Sequence, residues 1–220
     1  MTMIVIEGAD CTGKTTQANL LIELLKASGK QVKVLDFPTY EKTLGGQTVK
    51  WYLEGKFGTL EQVPPEVACL CYALDRYQFA KENYQALKEG KILVSNRYTQ
   101  SNIGHQAGKL KGKERLELIK WINQVESRMP QPDNVIYLDL PVEISQKLKQ
   151  SREGTKGAGA KDIHEASIQH LKDTRECYLE TAKREGWIII DCKQKNADEI
   201  RTVEEIHKEI ITKLKQKKVF

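Results

Sequence analysis

The chain has 220 residues, 40% of them hydrophobic and 30% charged, enough apolar surface for the core of one domain and too much for disorder throughout. Its longest apolar runs, such as Met3–Ile6 and Trp187–Ile190, fall far short of the roughly 20 residues a membrane helix needs. No cationic leader precedes an apolar stretch, so the expectation is a cytoplasmic protein without a membrane partner.

The first element expected is a buried strand, Met3–Ile6, followed by a helix over Thr15–Ser28 with apolar residues at Ala18, Leu21, Ile22 and Leu25 and a stop at Gly29. A second strand is expected at Val32–Asp36, then a long helix over Val63–Leu87 entered through Pro64–Pro65 and ended by Gly90. Strands at Ile92–Ser95, Val135–Leu140 and Ile188–Asp191 alternate with helices at Lys113–Val125, Val142–Lys149, Ala166–Glu185 and Thr202–Lys215. Five strands alternating with helices predict a single α/β domain over residues 1–220 with a mostly parallel sheet. Ser151–Lys161, rich in glycine and cations without a large apolar residue, reads as a mobile hydrated loop.

The formal net charge of +5 is unevenly spread. Lys147–Lys161 carries five cations against Glu153, and His207–Phe220 five lysines against Glu209, so the remainder is mildly acidic. Basicity confined to one loop and a tail (about 213–220) fits a local anion site better than a nucleic-acid surface. Cys11, Cys69, Cys71, Cys177 and Cys192 are odd in number and form no CxxC pair, as expected of reduced thiols.

Gly8-Ala9-Asp10-Cys11-Thr12-Gly13-Lys14-Thr15 matches GxxxxGK[ST] between a strand and a helix, the context of an ATP phosphate loop, with Thr16 continuing it. The glycines let backbone N–H groups turn inward onto phosphate oxygens, and the helix dipole adds to them. Lys14 reaches the β- and γ-phosphates, and the Thr15 hydroxyl is a ligand for Mg²⁺. Lys195–Asn196 runs into Ala197, so the NKxD guanine signature is missing, as is DxxG. What remains favours a small kinase.

Asp10 within this loop, Phe37-Pro38-Thr39-Tyr40, Tyr72-Ala73-Leu74-Asp75-Arg76, Asn96-Arg97-Tyr98, Ser101–Asn102, His105–Gln106 and Asp162-Ile163-His164-Glu165 occur in an order and spacing that resemble the thymidylate kinase family from the phosphate loop to the last helix. The resemblance implies a P-loop NTPase three-layer fold, a five-stranded mostly parallel sheet flanked by helices, and a mobile LID segment at about 150–164. It implies ATP and dTMP as substrates, Mg²⁺ as cofactor and a homodimer. It places Asp10 near the acceptor sugar and phosphate, Arg97 on the acceptor phosphate, Tyr72 and Arg76 at the base, and Phe37, Tyr40, Asn102, His105 and Gln106 around the nucleoside. Arg152, Lys156 and Lys161 become the LID cations that join Lys14, Asp10 and Arg97 in catalysis, with Asp162 beside the acceptor. Asn196–Ile200 falls where relatives hold adenine.

From spacing alone, Asp10 also suits an Asx turn, Tyr72 and Arg76 an ordinary amphipathic helix, and Phe37–Pro38 a buried corner. Asp139, ending an apolar strand, suits either a metal-holding acid or a cap. Two residues depart from the family pattern: Cys11, where many relatives carry a cation, and Asn96, where most carry aspartate. The rival readings are a same-fold kinase for dUMP, UMP or a deoxynucleoside, and a non-catalytic nucleotide-binding protein.

Overall fold

The computed structural model describes residues 1–156, 163, 164 and 167–219, with the backbone alone at 152–156. Among them, five strands, β1 (Thr2–Gly8), β2 (Val32–Asp36), β3 (Ile92–Asn96), β4 (Asn134–Asp139) and β5 (Ile188–Asp191), form one fully parallel sheet in the order β2-β3-β1-β4-β5. With β1 in the centre, Ile4 aligns with Val94 on β3 and Asn134 on β4. The carboxyl ends of β1, β2 and β3 therefore emerge side by side at Gly8, Asp36 and Asn96, the edge where open α/β sheets bind ligands.

Side chains alternate across the sheet with the two-residue period of a strand. Ile4 and Ile6 face a layer made by α1 (Lys14–Ala27) and α9 (Val203–Gln216), packing on Leu21, Leu25, Ile206 and Ile210. Met3 and Val5 face the opposite layer, where Leu87 of α4 (Ala80–Lys88) meets Leu35, Phe37, Tyr98 and Met129. Removing both faces from water is the main stabilisation of the fold. No helix among the described residues is long and apolar enough to cross a membrane, and no disulfide joins any of the five cysteines.

Three elements differ from the sequence expectation. The long helix over Val63–Leu87 is two helices, α3 (Pro65–Tyr77) and α4, parted at Gln78–Phe79. Phe79 turns inward there, its ring edge-on to Phe37 at 5.8 Å, so tertiary packing overrides a continuous helical pattern. A helix absent from the expectation, α2 (Leu44–Leu53), packs against α3. Its Gly45 lies so close that an added Cβ would fall 2.3 Å from the Asp75 backbone nitrogen. The third is Ser151–Lys161: α7 runs over Val142–Lys156, so the first six residues are helical rather than loop. Arginine, glutamate and lysine propagate a helix well enough to carry one glycine, which costs about 1 kcal/mol.

The basic C-terminal segment is largely the end of α9. Lys213 Nζ donates to the Ile189 carbonyl at 2.7 Å and Lys217 Nζ to the Gly186 carbonyl at 3.2 Å, so two of its cations serve packing.

Candidate active site

Between β1 and α1 the chain curls as the motif requires. Gly8 has φ +154° and sits against β4, where an added Cβ would meet the Leu138 carbonyl at 2.8 Å; Gly13 has φ +86°. Thr12 Oγ1 and Lys14 Nζ both donate to the Ala9 carbonyl, at 2.8 and 2.7 Å. Gly13 caps α1 without a side-chain bond, and no acid stands in the first turn, so the amino end of the helix keeps its attraction for an anion. Burial, reinforced by the charge of Arg97, lowers Lys14 to a pKa of about 8.

The Asn96 amide, at the end of β3, bridges the first turn of α1 and the end of β2, donating to Thr15 Oγ1 at 3.2 Å and to Asp36 Oδ1 at 2.9 Å. Its own Oδ1 is buried without a hydrogen-bond partner. A hydroxyl, a carboxylate and an orphaned amide oxygen are hard donors, a set that fits Mg²⁺.

Arg97, just past β3, adopts φ +63°, a costly conformation for a bulky residue and one that concentrates at functional sites. Its backbone N–H donates to the Ile6 carbonyl at 3.1 Å, and its guanidinium donates to Asp10 Oδ1 at 2.7 Å and meets His105 Nε2 at 3.3 Å. Lys14 Nζ lies 3.7 Å from the same Asp10 oxygen. Burial works to raise the Asp10 carboxyl, but Arg97 and Lys14 prevail and hold its pKa at about 2. A single carboxylate oxygen thus ties the phosphate-loop lysine to the arginine at the end of β3.

Beyond Arg97 opens a cavity lined by Asp10, Tyr40, Tyr72, Asn102 and His105, with Pro38, Leu53, Ser101, His164 and Leu171 completing its wall. The Tyr72 ring stands edge-on to Tyr52 at 6.3 Å. Phe37 is not part of this lining; its ring is 5% exposed and packs on Phe79 and Tyr98, the buried corner its sequence also suited. Nor does Arg76 reach the cavity. It is buried and paired with Glu126, whose Oε1 also accepts from Asn102 Nδ2 at 3.1 Å. Burial opposes the Arg76 charge, yet Glu126 more than offsets it and raises the pKa. Gln106 is fully buried behind the wall, and neither amide atom meets a partner among the described residues.

Arg152 and Lys156 belong to α7 by their backbone, their side chains lying beyond the described atoms; Lys161 and Asp162 fall outside the described residues. Asp139 pairs with Arg175 through two bonds, at 2.7 and 2.9 Å, a clasp between β4 and α8 (Ile168–Glu185). Lys195 and Asn196 line a second groove, after β5.

Sequence reasoning overlooked the supports behind the cavity. Glu7, fully buried, accepts from the Tyr98 N–H, the Ser101 hydroxyl and the Tyr178 hydroxyl, each at 2.9 Å. A carboxylate inside the apolar run MIVIEG was a signal that could have found it. Asp75, also buried, accepts from the Thr39 N–H at 2.9 Å and the Thr43 hydroxyl at 2.8 Å, anchoring the loop that carries Tyr40. Glu126 gave no sequence signal.

The thymidylate kinase family model matches residues 6–217. The chain belongs to that family. It is 34% identical to the probable thymidylate kinase of Archaeoglobus fulgidus, with 98% of both chains covered. To the probable thymidylate kinase of Pyrococcus horikoshii it is 32% identical, covering 96% of this chain and 95% of the relative. Its fold is similar to the solved structure of thymidylate kinase from Candida albicans, with a TM-score of 0.73 at 21% identity over 99% of this chain and 92% of the other.

Proposed function

We propose that this protein transfers the γ-phosphoryl group of ATP to dTMP, giving dTDP and ADP. The observation that carries the reading is the shared Asp10 oxygen, which draws together Lys14 of the donor loop and Arg97 at the mouth of the acceptor cavity. Phosphoryl transfer asks chiefly for positioning and charge neutralisation, and this arrangement supplies both without a dedicated base.

In this reading residues 8–16 wrap the ATP phosphates, and Lys14 exchanges the Ala9 carbonyl for phosphate oxygens. Thr15, with Asp36 and Asn96 beside it, would hold Mg²⁺, which would supply neutralisation of the phosphate charge when bound. Arg97 turns its guanidinium fork to the acceptor phosphate, a geometry suited to two parallel bonds. Tyr72 stacks on the base, Tyr40, Asn102 and His105 wall the nucleoside, and Asp10 faces the sugar. Arg76 acts through Glu126 by fixing Asn102, while Phe37 shapes the loop from behind and Gln106 backs the base wall. The LID, at about 150–164 in one domain spanning 1–220, closes with Arg152, Lys156 and Lys161 toward the transferring group and Asp162 toward the acceptor, excluding water. The groove at Lys195 and Asn196 takes adenine.

A homodimer and a cytoplasmic setting belong to the same proposal. On α3, Val67, Leu70 and Leu74 are 43%, 50% and 43% exposed on one helical face, an apolar stripe of the kind a second copy covers. Five cysteines without a disulfide fit a reducing compartment.

The test is ADP release with ATP and Mg²⁺ against dTMP, dUMP, UMP, dCMP and thymidine in parallel. Preference for dTMP is expected. Faster turnover with another acceptor would keep the donor site and relocate specificity to the wall around His105. Absence of acceptor-dependent ADP would overturn the proposal.

A further inference from the structure

Three imidazoles that phosphoryl transfer does not need as acids or bases meet at the inner wall of the cavity. His105 lies in the π-helical turn Ile103–Ala107, His164 shortly before α8, and His170 in the first turn of α8. One ligating nitrogen from each lies within 4.8 Å of the others, and the ring centroids are 4.7 to 5.9 Å apart. His164 and His170 are 6% and 4% exposed. His105 Nδ1 and His170 Nε2 are buried without a hydrogen-bond partner, although buried polar nitrogens are ordinarily paired.

In all three rings the charged form is disfavoured. Burial is the main cause, with Arg97 adding to it at His105 and Lys109 at His170; at His164 the neighbouring histidines add to it. Asp173 and Glu61 pull His170 the other way without prevailing, and its pKa is lowered to about 4. A neutral imidazole carries the lone pair that a metal ion takes. The His164 ring is oriented by the Tyr52 hydroxyl at 2.8 Å, which in turn receives Lys109 Nζ at 3.1 Å, the kind of outer support that metal-ligating histidines have.

We propose that His105, His164 and His170 form a site for a transition-metal dication of the zinc, cobalt or nickel class, distinct from the Mg²⁺ of the donor phosphates. Imidazole nitrogens select such ions, whereas Mg²⁺ prefers oxygen. Three protein ligands leave the fourth tetrahedral position to water. Metal–nitrogen bonds of about 2.0–2.1 Å require ligand nitrogens roughly 3.3 Å apart, so the rings close inward, and the nearly parallel His105 and His164, inclined by 16°, turn toward a common point.

This closure is coupled to Arg97. A guanidinium only donates, so His105 Nε2 accepts from Arg97 and Nδ1 carries the ring proton. Metal on Nδ1 sends that proton to Nε2, where it faces the Arg97 donor; metal on Nε2 displaces Arg97 outright. Either route frees Arg97 from His105 without net proton release. The charges of Arg97 and Lys109 lower the affinity below that of a closed structural zinc site.

The experiment is titration of the full chain, without nucleotide, by Co²⁺, following the visible absorption of four-coordinate cobalt. Expected are one Co²⁺ per chain, displacement by Zn²⁺, persistence in excess Mg²⁺ and a higher thermal midpoint. His170→Ala lowers Co²⁺ affinity by more than about 100-fold, while His207→Ala, remote from the cluster, leaves it unchanged. His170→Gln, which keeps bulk and polarity but is a poor ligand, gives the same loss should the alanine variant melt without cooperativity. No cobalt absorption, or equal binding by the folded His170 variants, overturns the site. None of these readouts depends on kinase activity, so the outcome is independent of the acceptor assignment.

Discussion

The phosphate loop gathers eight consecutive residues, Gly8–Thr15, and in the proposed reading binds chiefly through backbone N–H groups and one lysine, whereas the proposed acceptor cavity draws on side chains as distant as Asp10 and Leu171. The two sides also differ in what stands behind them. The loop rests on glycine geometry and the start of α1; the cavity wall rests on buried carboxylates, Glu7, Asp75 and Glu126, each holding several donors. A local motif tolerates changes elsewhere in the fold. A wall assembled over long range inherits every weakness of its buried polar supports.

The largest expected effect exploits that difference. Arg76 and Glu126 are 2% and 3% exposed, and Glu126→Ala strands the arginine and takes one acceptor from the Asn102 amide. The amide keeps its bond to the Cys69 carbonyl at 3.2 Å, while the arginine loses its ion-pair partner. Removing one partner of a buried pair costs about 3–5 kcal/mol, to be read as a loss of unfolding free energy in urea. The folded fraction of the variant is expected to bind dTMP weakly and ATP normally. Equal weakening of both ligands would erase the distinction between the two sides.

Lys14→Ala makes the converse cut. Loss of a preorganised charge on the transferring group lowers kcat by about 10²–10³-fold, read from steady-state ADP release. The dTMP dissociation constant changes little, and stability changes little too, because burial already disfavours the Lys14 charge and Asp10 keeps Arg97 as a partner. A large loss of dTMP affinity would mean that the Asp10 link makes the two sides one unit. On the cavity side, Tyr72→Ala forfeits a stacking ring worth about 1–3 kcal/mol. This appears as a higher dTMP KM with kcat within severalfold; an unchanged KM removes Tyr72 from the base site.

The same contrast explains what could be read in advance. Gly8, Gly13, Lys14 and Thr15 announce the donor loop by spacing alone, and the five strands announce themselves as short apolar runs. The residues proposed for the acceptor came only through likeness to a family, because no spacing rule says that Asn102 will meet Glu126 or that Thr39 will meet Asp75. Arg76 shows the limit: the i, i+4 relation puts it on the face of Tyr72, but a buried partner 50 residues away decides where its guanidinium goes. The break between α3 and α4 was hidden for a similar reason, since the contact of Phe79 with Phe37 spans two elements. The histidine cluster was hidden because His105, His164 and His170 converge only after α8 is docked.

The smallest effect is a proton count, and it probes the donor side without altering the acceptor wall. Lys14 is held at about 8 against an ordinary lysine value of 10.5. Below pH 8 both folded and unfolded chains carry this proton, and the cost of burying the charge is borne in full. Between pH 8 and 10.5 the folded chain has released it while the unfolded chain has not, so the contribution of this group to stability rises with pH across that window. Phosphates entering the loop favour the charged form again, so ATP binding draws a proton in: almost none at pH 7, approaching one at pH 9. Calorimetric titration in buffers of different ionisation enthalpy measures that uptake directly. Lys109 is also lowered to about 8 by burial, so the control is Lys14→Arg, whose guanidinium stays protonated throughout. Uptake at pH 9 that survives in Lys14→Arg belongs to Lys109, and ATP binding would then reach across to the acceptor wall.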